Sequence, residues 1–287
     1  MAVTEAMGRA LRSLDGLSVG DAFGERWFTD VVGPVRRSLP PAPWRWTDDT
    51  QMALSVVEVL GQVGHIDQEL LARAFCRRYE PGRGYGAGAH RLLEAFRTTP
   101  WREASAALFD GRGSYGNGGA MRVAPLGAYF AGEAVARVAS EARRSAEVTH
   151  WNVEGQEGAV AVAVATAALI EAPTCTAETL FEAVRSAMVA SKTREGVERA
   201  RSIGADAWAE AYRVLGTGER ISAQDTAPFC VWVVAHHRED FAETLWRTAA
   251  GLGDMDTTCA IVGGMLANVV EVPGAWIEAR EGLGDVG

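Results

Sequence analysis

Two short acidic clusters hold the residues best suited to chemistry. Thr47-Asp48-Asp49 precedes an apolar helical pattern, and Asp254-Met255-Asp256-Thr257 precedes another far downstream. Each supplies two carboxylates and a hydroxyl. Asp and Thr at such positions also serve as ordinary caps, satisfying the free amides of a helix N-terminus and suiting its dipole. Paired aspartates exceed what one cap needs, and both clusters show the excess. If the two helix starts meet, four carboxylates converge and repel one another unless a cation lies between them. A donor set of oxygens alone selects hard ions, Mg²⁺, Mn²⁺ or Ca²⁺, over Zn²⁺. Four carboxylates suffice for two ions.

Glycine loops come next. Gly113-Ser114-Tyr115-Gly116-Asn117-Gly118-Gly119 leads into Ala120-Met121-Arg122-Val123, which reads as a helix start. Glycines let backbone amides approach an anion, and a helix N-terminus adds partial positive charge, so the segment suits a diphosphate. A flexible turn is the plainer alternative. Tyr115 is suited to stacking on a base or ribose, and Arg122 to pairing with an acid. The run Gly82 to Gly88 resembles a dinucleotide loop but follows the helical stretch Arg77-Arg78-Tyr79, not a strand, so a Rossmann site is excluded.

Other residues carry weaker signals. Gly20 and Gly24 lie on an N-terminal helix with Leu11, Leu14 and Leu17, where they permit close helix packing and put Asp21 and Glu25 on one face. Glu25 stands equally as an acid/base group and as surface charge. His150 is the most suggestive histidine, although a lone histidine near an apolar helix is more often structural. His236-His237 read as surface or packing residues. Trp44 and Trp46, beside the acidic start, read as core before pocket wall.

The elements that must position these groups are helical. Met52, Val56, Val59, Leu60 and Val63 recur at helical spacing, as do Leu70 to Phe75 and Leu92, Leu93 and Phe96. Helices are also predicted over 159–170, 180–189, 197–215, 229–235, 241–249 and 258–270. The Val-Ala alternation at Val160 to Val164 is the one strand-like stretch, and alanine disfavours it. The fold class is therefore all-α, a single multi-helix domain over 1–287, with functional loops at helix starts.

Composition sets limits. The 287 residues are 48% hydrophobic and 23% charged, which excludes wholesale disorder. A net charge of −9 opposes backbone-driven nucleic-acid binding. Four separated cysteines with no C-x-x-C indicate neither a thiol zinc site nor a disulfide framework. The N-terminus lacks a secretory pattern, and the apolar run Gly158 to Ile170 is too short to span a bilayer. The expectation is a cytoplasmic protein, monomeric, without a membrane partner.

The motifs together resemble the ADP-ribosylglycohydrolase family, also called the dinitrogenase reductase-activating glycohydrolase family. Gly20-Asp21-Ala22-Phe23-Gly24, Trp46-Thr47-Asp48-Asp49-Thr50, Gly84-Tyr85-Gly86, Gly116-Asn117-Gly118-Gly119-Ala120-Met121-Arg122, Thr149-His150 and Gly253-Asp254-Met255-Asp256-Thr257 carry the resemblance, from about Gly16 to Asn268. It implies an all-helical fold and a binuclear Mg²⁺ or Mn²⁺ site held by Thr47, Asp48, Asp49, Asp254, Asp256 and Thr257. It also implies an ADP-ribose site. There Gly84, Tyr85 and Gly86 line the distal ribose, and Ser114, Tyr115, Gly116 and Asn117 hold the diphosphate, with His150 nearby. The implied substrate is an ADP-ribosylated protein or a small-molecule conjugate. The loops look closest to the branch acting on serine-linked ADP-ribose, poly(ADP-ribose) and O-acetyl-ADP-ribose; the arginine-specific branch is the other candidate. Family members commonly carry a glutamate four residues after the second glycine of the first motif, where this chain has Phe28 and places Glu25 directly after Gly24. Glu25, Asp48 and Asp256 are thus the candidates for catalysis. A non-hydrolytic ADP-ribose binder of the same fold is the alternative function.

Overall fold

Helical periodicity becomes helix nearly everywhere the sequence predicts it. The structure, a computed structural model, describes residues 2–284. Among the described residues there are seventeen α-helices and no strand; one isolated bridge joins Trp44 to Arg280. The Val160 to Val164 alternation lies inside the helix Val153–Glu171.

Three predicted spans differ. The span 197–215 is two helices, Lys192–Arg201 and Trp208–Leu215, because the chain turns through Gly204 between them. The span 258–270 is the helix Met255–Leu266, which begins at the acidic cluster and ends in a turn. The segment after the Gly113 loop is only the single turn Gly118–Met121, followed by Ala124–Tyr129. A four-residue turn sums too few peptide dipoles to offer the anion site expected of a true helix start.

The helix Val153–Glu171 runs through the core. It is long and apolar enough to cross a membrane, so the apolar run within it is extended at its N-terminal end by a further turn. Most of it is buried against neighbouring helices, as a core helix should be. Its Glu157 accepts from Arg143 Nε at 2.7 Å and from the Val189 amide at 2.9 Å, which offsets the cost of burying that charge.

The N-terminal helix Ala2–Glu25 packs along Met255–Leu266. A Cβ on Gly16 would overlap the Gly263 carbonyl, one on Gly20 the Cys259 carbonyl, and one on Gly24 the Met255 carbonyl. Glycines four apart therefore bring the two backbones into contact. Ser13 Oγ donates to the Gly264 carbonyl at 2.7 Å along the same seam. Beside it, Phe23 stacks on Trp276 at 4.7 Å and meets Trp27, Trp44 and Trp246 edge-on or tilted. Trp44 and Trp46 are thus core residues. This seam carries Asp21 on one helix and Asp256 on the other.

Candidate active site

The helix Asp48–Val63 begins where the chain meets the N-terminal helix. Thr47 is its cap, with its side chain accepting from the Asp49 amide. Asp21 holds this start from below. Its carboxylate accepts from the Thr47 amide at 2.9 Å, the Thr50 amide at 3.1 Å, the Thr47 hydroxyl at 2.9 Å and the Thr50 hydroxyl at 2.5 Å. Asp21 is fully buried, and burial pushes its pKa up to about 6 despite those donors. It is the positioning residue of the acidic wall, and sequence reading had given it no such role.

The second acidic start lies across the seam. Asp254 precedes Met255–Leu266, and its amide donates to the Thr217 carbonyl at 3.1 Å. Asp256 Oδ1 accepts from the Thr257 amide at 2.8 Å. The two starts do converge. Burial, then the charges of Asp21, Asp254 and Glu25, push Asp48 up to about 7. Burial with the charges of Asp21, Asp48 and Asp254 raises Asp49 well above the carboxylate range, and burial with Asp254 and Asp49 does the same to Asp256. Asp49 Oδ1 is buried with no hydrogen-bond partner. A buried acceptor left unpaired costs roughly 1–3 kcal/mol.

These features fit a cation. The donors are carboxylate and hydroxyl oxygens, the mutual repulsion is unrelieved, and one buried oxygen lacks a donor. Among the described residues, no three His, Cys, Asp or Glu side chains are drawn tightly enough to enclose an ion as they stand. The wall therefore has the chemistry of a hard-cation site with its side chains still apart.

A cavity of about 420 Å³ opens over this wall. Asp48, Asp49, Asp254, Asp256 and Thr257 line one end, while Thr47 lies behind them. Gly84 and Gly86 line the adjoining side, and Gly84, at φ +90°, brings its backbone against Asp48. Their loop is pinned by Arg83, which lies 3.5 Å from the Trp46 ring centre, bonds the Trp46 carbonyl at 3.1 Å and pairs with Glu281 at 2.7 Å. Tyr85 departs from its expected place. Its ring is buried away from the cavity against Tyr79 and His90, held there by its hydroxyl donating to Gln51 Oε1 at 2.9 Å.

The opposite end is the segment Ser114 to Gly118, with Thr149 and His150 beneath it. Among the described residues, the amides of Tyr115 and Asn117 meet no protein acceptor, and the Gly116 amide donates to Ser114 Oγ at 3.2 Å. Asn117 is engaged as a tie between the walls, donating to Asp254 Oδ2 at 2.6 Å and Thr226 Oγ1 at 3.1 Å. Tyr115, 43% exposed, lies beside Phe109 at the rim with ring centres 5.6 Å apart. Arg122 does not pair with an acid. It is fully buried and donates to the Gly118 and Ser145 carbonyls and to Thr149 Oγ1.

Glu25 stands apart. It is exposed at the end of the N-terminal helix and outside the cavity lining, although its charge reaches Asp48. Burial raises its own pKa against the lowering effect of Arg26 and Arg45. Phe28 is 46% exposed and also outside the lining. Sequence reading missed Arg220 and Ile221, which line the cavity from the loop after Gly218, and Met52, Leu92, Leu93 and Met121, which form its apolar side. The Gly216-Thr217-Gly218 cluster was the available signal for the first pair.

The chain belongs to the ADP-ribosylglycohydrolase family, which it matches over residues 3–286. It is 28% identical to the ADP-ribosylhydrolase ARH3 of Homo sapiens, over 96% of this chain and 90% of that protein. It is 27% identical to the ADP-ribosylarginine hydrolase Tri1 of Pseudomonas putida (strain GB-1), over 96% of this chain and 74% of that one. A chain of a solved ADP-ribosylglycohydrolase-related protein complex superposes with a TM-score of 0.69 at 29% identity, covering 97% of this chain and 94% of that chain.

Proposed function

We propose that this chain releases ADP-ribose from an O-linked conjugate, a serine-linked protein or an acetyl ester, by hydrolysis at the anomeric carbon of the distal ribose, with two Mg²⁺ or Mn²⁺ ions as cofactor. One observation carries the reading. A single cavity has a repelling carboxylate wall at one end and a loop with free amides at the other. A ribose diol suits the first end, and a diphosphate suits the second. The form of the glycine loops favours an O-linked substrate. Similarity to the Pseudomonas arginine hydrolase makes an arginine linkage the alternative.

Thr47, Asp48, Asp49, Asp254, Asp256 and Thr257 would hold the ions, which supply positive charge to the ribose diol and acidify a water. The chain's own groups do the rest. The amides of Tyr115 and Asn117 hold the diphosphate, and this remote binding fixes the reacting carbon in place. Gly84 and Gly86 lack side chains, so the sugar can lie against Asp48. The transition state is oxocarbenium-like, as in other glycoside cleavages. A carboxylate not fully committed to an ion, Asp48 or Asp256, or Glu25 from outside the cavity lining, takes the proton of the attacking water.

The test is ADP-ribose release from serine- and arginine-linked peptides, O-acetyl-ADP-ribose and ADP-ribose-1″-phosphate, each with Mg²⁺, with Mn²⁺ and with EDTA. Metal-dependent release is expected, fastest from an O-linked member. A second reading, an ADP-ribose sensor, draws on Phe28 and Glu25 lying outside the cavity lining. Tight ADP-ribose binding with no release from any conjugate would establish it.

A further inference from the structure

Beneath the glycine loop a short hydrogen-bonded chain runs from a buried cation to the cavity. Arg122 is 0% exposed and, among the described residues, bonds no carboxylate. Its Nη2 donates to Thr149 Oγ1 at 2.9 Å, and its other contacts go to the carbonyls of Gly118 and Ser145 and to Met52 Sδ. Thr149 Oγ1 in turn lies 2.7 Å from His150 Nδ1. His150 is buried within this packing and lines the cavity, where its Nε2 faces Gly116 and Gly118. Among the described residues, no protein group bonds that Nε2.

Donor and acceptor counting selects the arrangement that gives the buried Thr149 proton a protein acceptor, since the opposite tautomer would leave it none among the described residues. A guanidinium only donates, so Thr149 Oγ1 accepts from Arg122. The threonine has one hydroxyl proton, and the remaining neighbour able to take it is His150 Nδ1. Nδ1 is then an acceptor, and the imidazole proton resides on Nε2. We infer that the Arg122–Thr149 pair fixes His150 as a neutral Nε2–H donor aimed into the cavity at the glycine loop, where it recognises a phosphate oxygen of the substrate.

Burial and the nearby Arg122 charge agree with this, pushing His150 down to about 3, so the ring carries no charge at neutral pH. A carboxylate in place of Thr149 would have selected the opposite tautomer and drawn the ring toward a charged state. Thr149 and Arg122 are positioning residues; only His150 meets the ligand. The inference rests on the proposed ADP-ribose site for the identity of the ligand, but the tautomer stands independently of it.

The experiment uses the full chain labelled with ¹⁵N-histidine, as wild type, Thr149→Ser and Thr149→Val, with His150→Gln to assign the signal. Imidazole ¹⁵N spectra give the tautomer, and calorimetric titration with ADP-ribose gives the affinity. The expected result is an Nε2–H imidazole in wild type and Thr149→Ser, unchanged between pH 5.5 and 8. In Thr149→Val the tautomer preference is lost and ADP-ribose binds roughly tenfold more weakly, the loss of about one oriented hydrogen bond. An Nδ1–H or doubly protonated His150 in the wild type overturns the inference, as does a Thr149→Val chain that keeps both tautomer and affinity. A wild type that shows the Nε2–H signal but binds no ADP-ribose overturns the proposed ligand while upholding the relay.

Discussion

The two ends of the cavity solve opposite problems. The carboxylate end is built from charges that raise one another's pKa, with a buried oxygen of Asp49 left unpaired. The glycine-loop end is built on a buried guanidinium whose donors run to carbonyls and Thr149. The first is unfavourable by itself and is completed by a ligand. The second also carries a cost, since burial lowers the Arg122 pKa to about 9 and leaves its Nε unpaired, but its other donors are fixed by protein acceptors. Asn117 joins them through its 2.6 Å bond to Asp254. Protein acceptors on the Arg122 side let that end act as a fixed template.

The sharpest way to break this contrast is to remove a carboxylate. Asp48→Ala and Asp256→Ala should each abolish turnover in the conjugate panel, a loss on the order of a thousandfold or more. Asp49→Asn should raise the melting temperature in EDTA while lowering activity, since it relieves repulsion without changing shape. Full turnover by both alanine variants would sink the metal-dependent mechanism.

The other wall should behave in reverse. Arg122→Met strands the Gly118 and Ser145 carbonyls and Thr149, and should destabilise the fold by about 3 kcal/mol in urea melts. Asp21→Asn falls between the two. It puts an amide donor among four donors and should cost about 2–3 kcal/mol together with metal-dependent activity.

Linkage offers a subtler comparison. Asp48 rises from 3.8 to about 7 and Asp21 from 3.8 to about 6 on folding. A raised folded pKa means that the folded chain keeps protons the unfolded chain has released. Their contribution is therefore fully present below pH 3.8 and is lost as pH rises through about 6 to about 7. Mg²⁺ should reverse the loss, giving a larger thermal shift at pH 8 than at pH 5. Equal shifts at the two pH values would separate the ion from these carboxylates. The smallest effect is expected at the rim, where Tyr115→Ala should weaken ADP-ribose binding by about tenfold through lost stacking.

Much of this site was legible in the chain. Paired aspartates exceed the needs of a cap, and glycines four apart announce a backbone seam. What escaped was set by distant partners. Asp21 serves Thr47 and Thr50, which lie beyond the end of its own helix. Ile221 reaches the cavity from a positive φ of 50°, a conformation that periodicity does not reveal. Tyr85 stands between two cavity-lining glycines and yet turns inward, a choice made by its Gln51 partner. The helix expected over 197–215 divides at Gly204, whose lack of helix preference was outvoted by the apolar repeat on either side.

The glycine seam also sets an order of events during synthesis. Gly16, Gly20 and Gly24 leave the ribosome long before their partners in Met255–Leu266. At cellular elongation rates the first helix waits roughly ten to fifty seconds for the backbone that covers it. Until then Asp21 has Thr47 to hold but no opposing acidic start to confront. A nascent chain thus carries Asp21, Asp48 and Asp49 with only their own mutual repulsion, and the charges of the second acidic start join them when Met255–Leu266 has emerged.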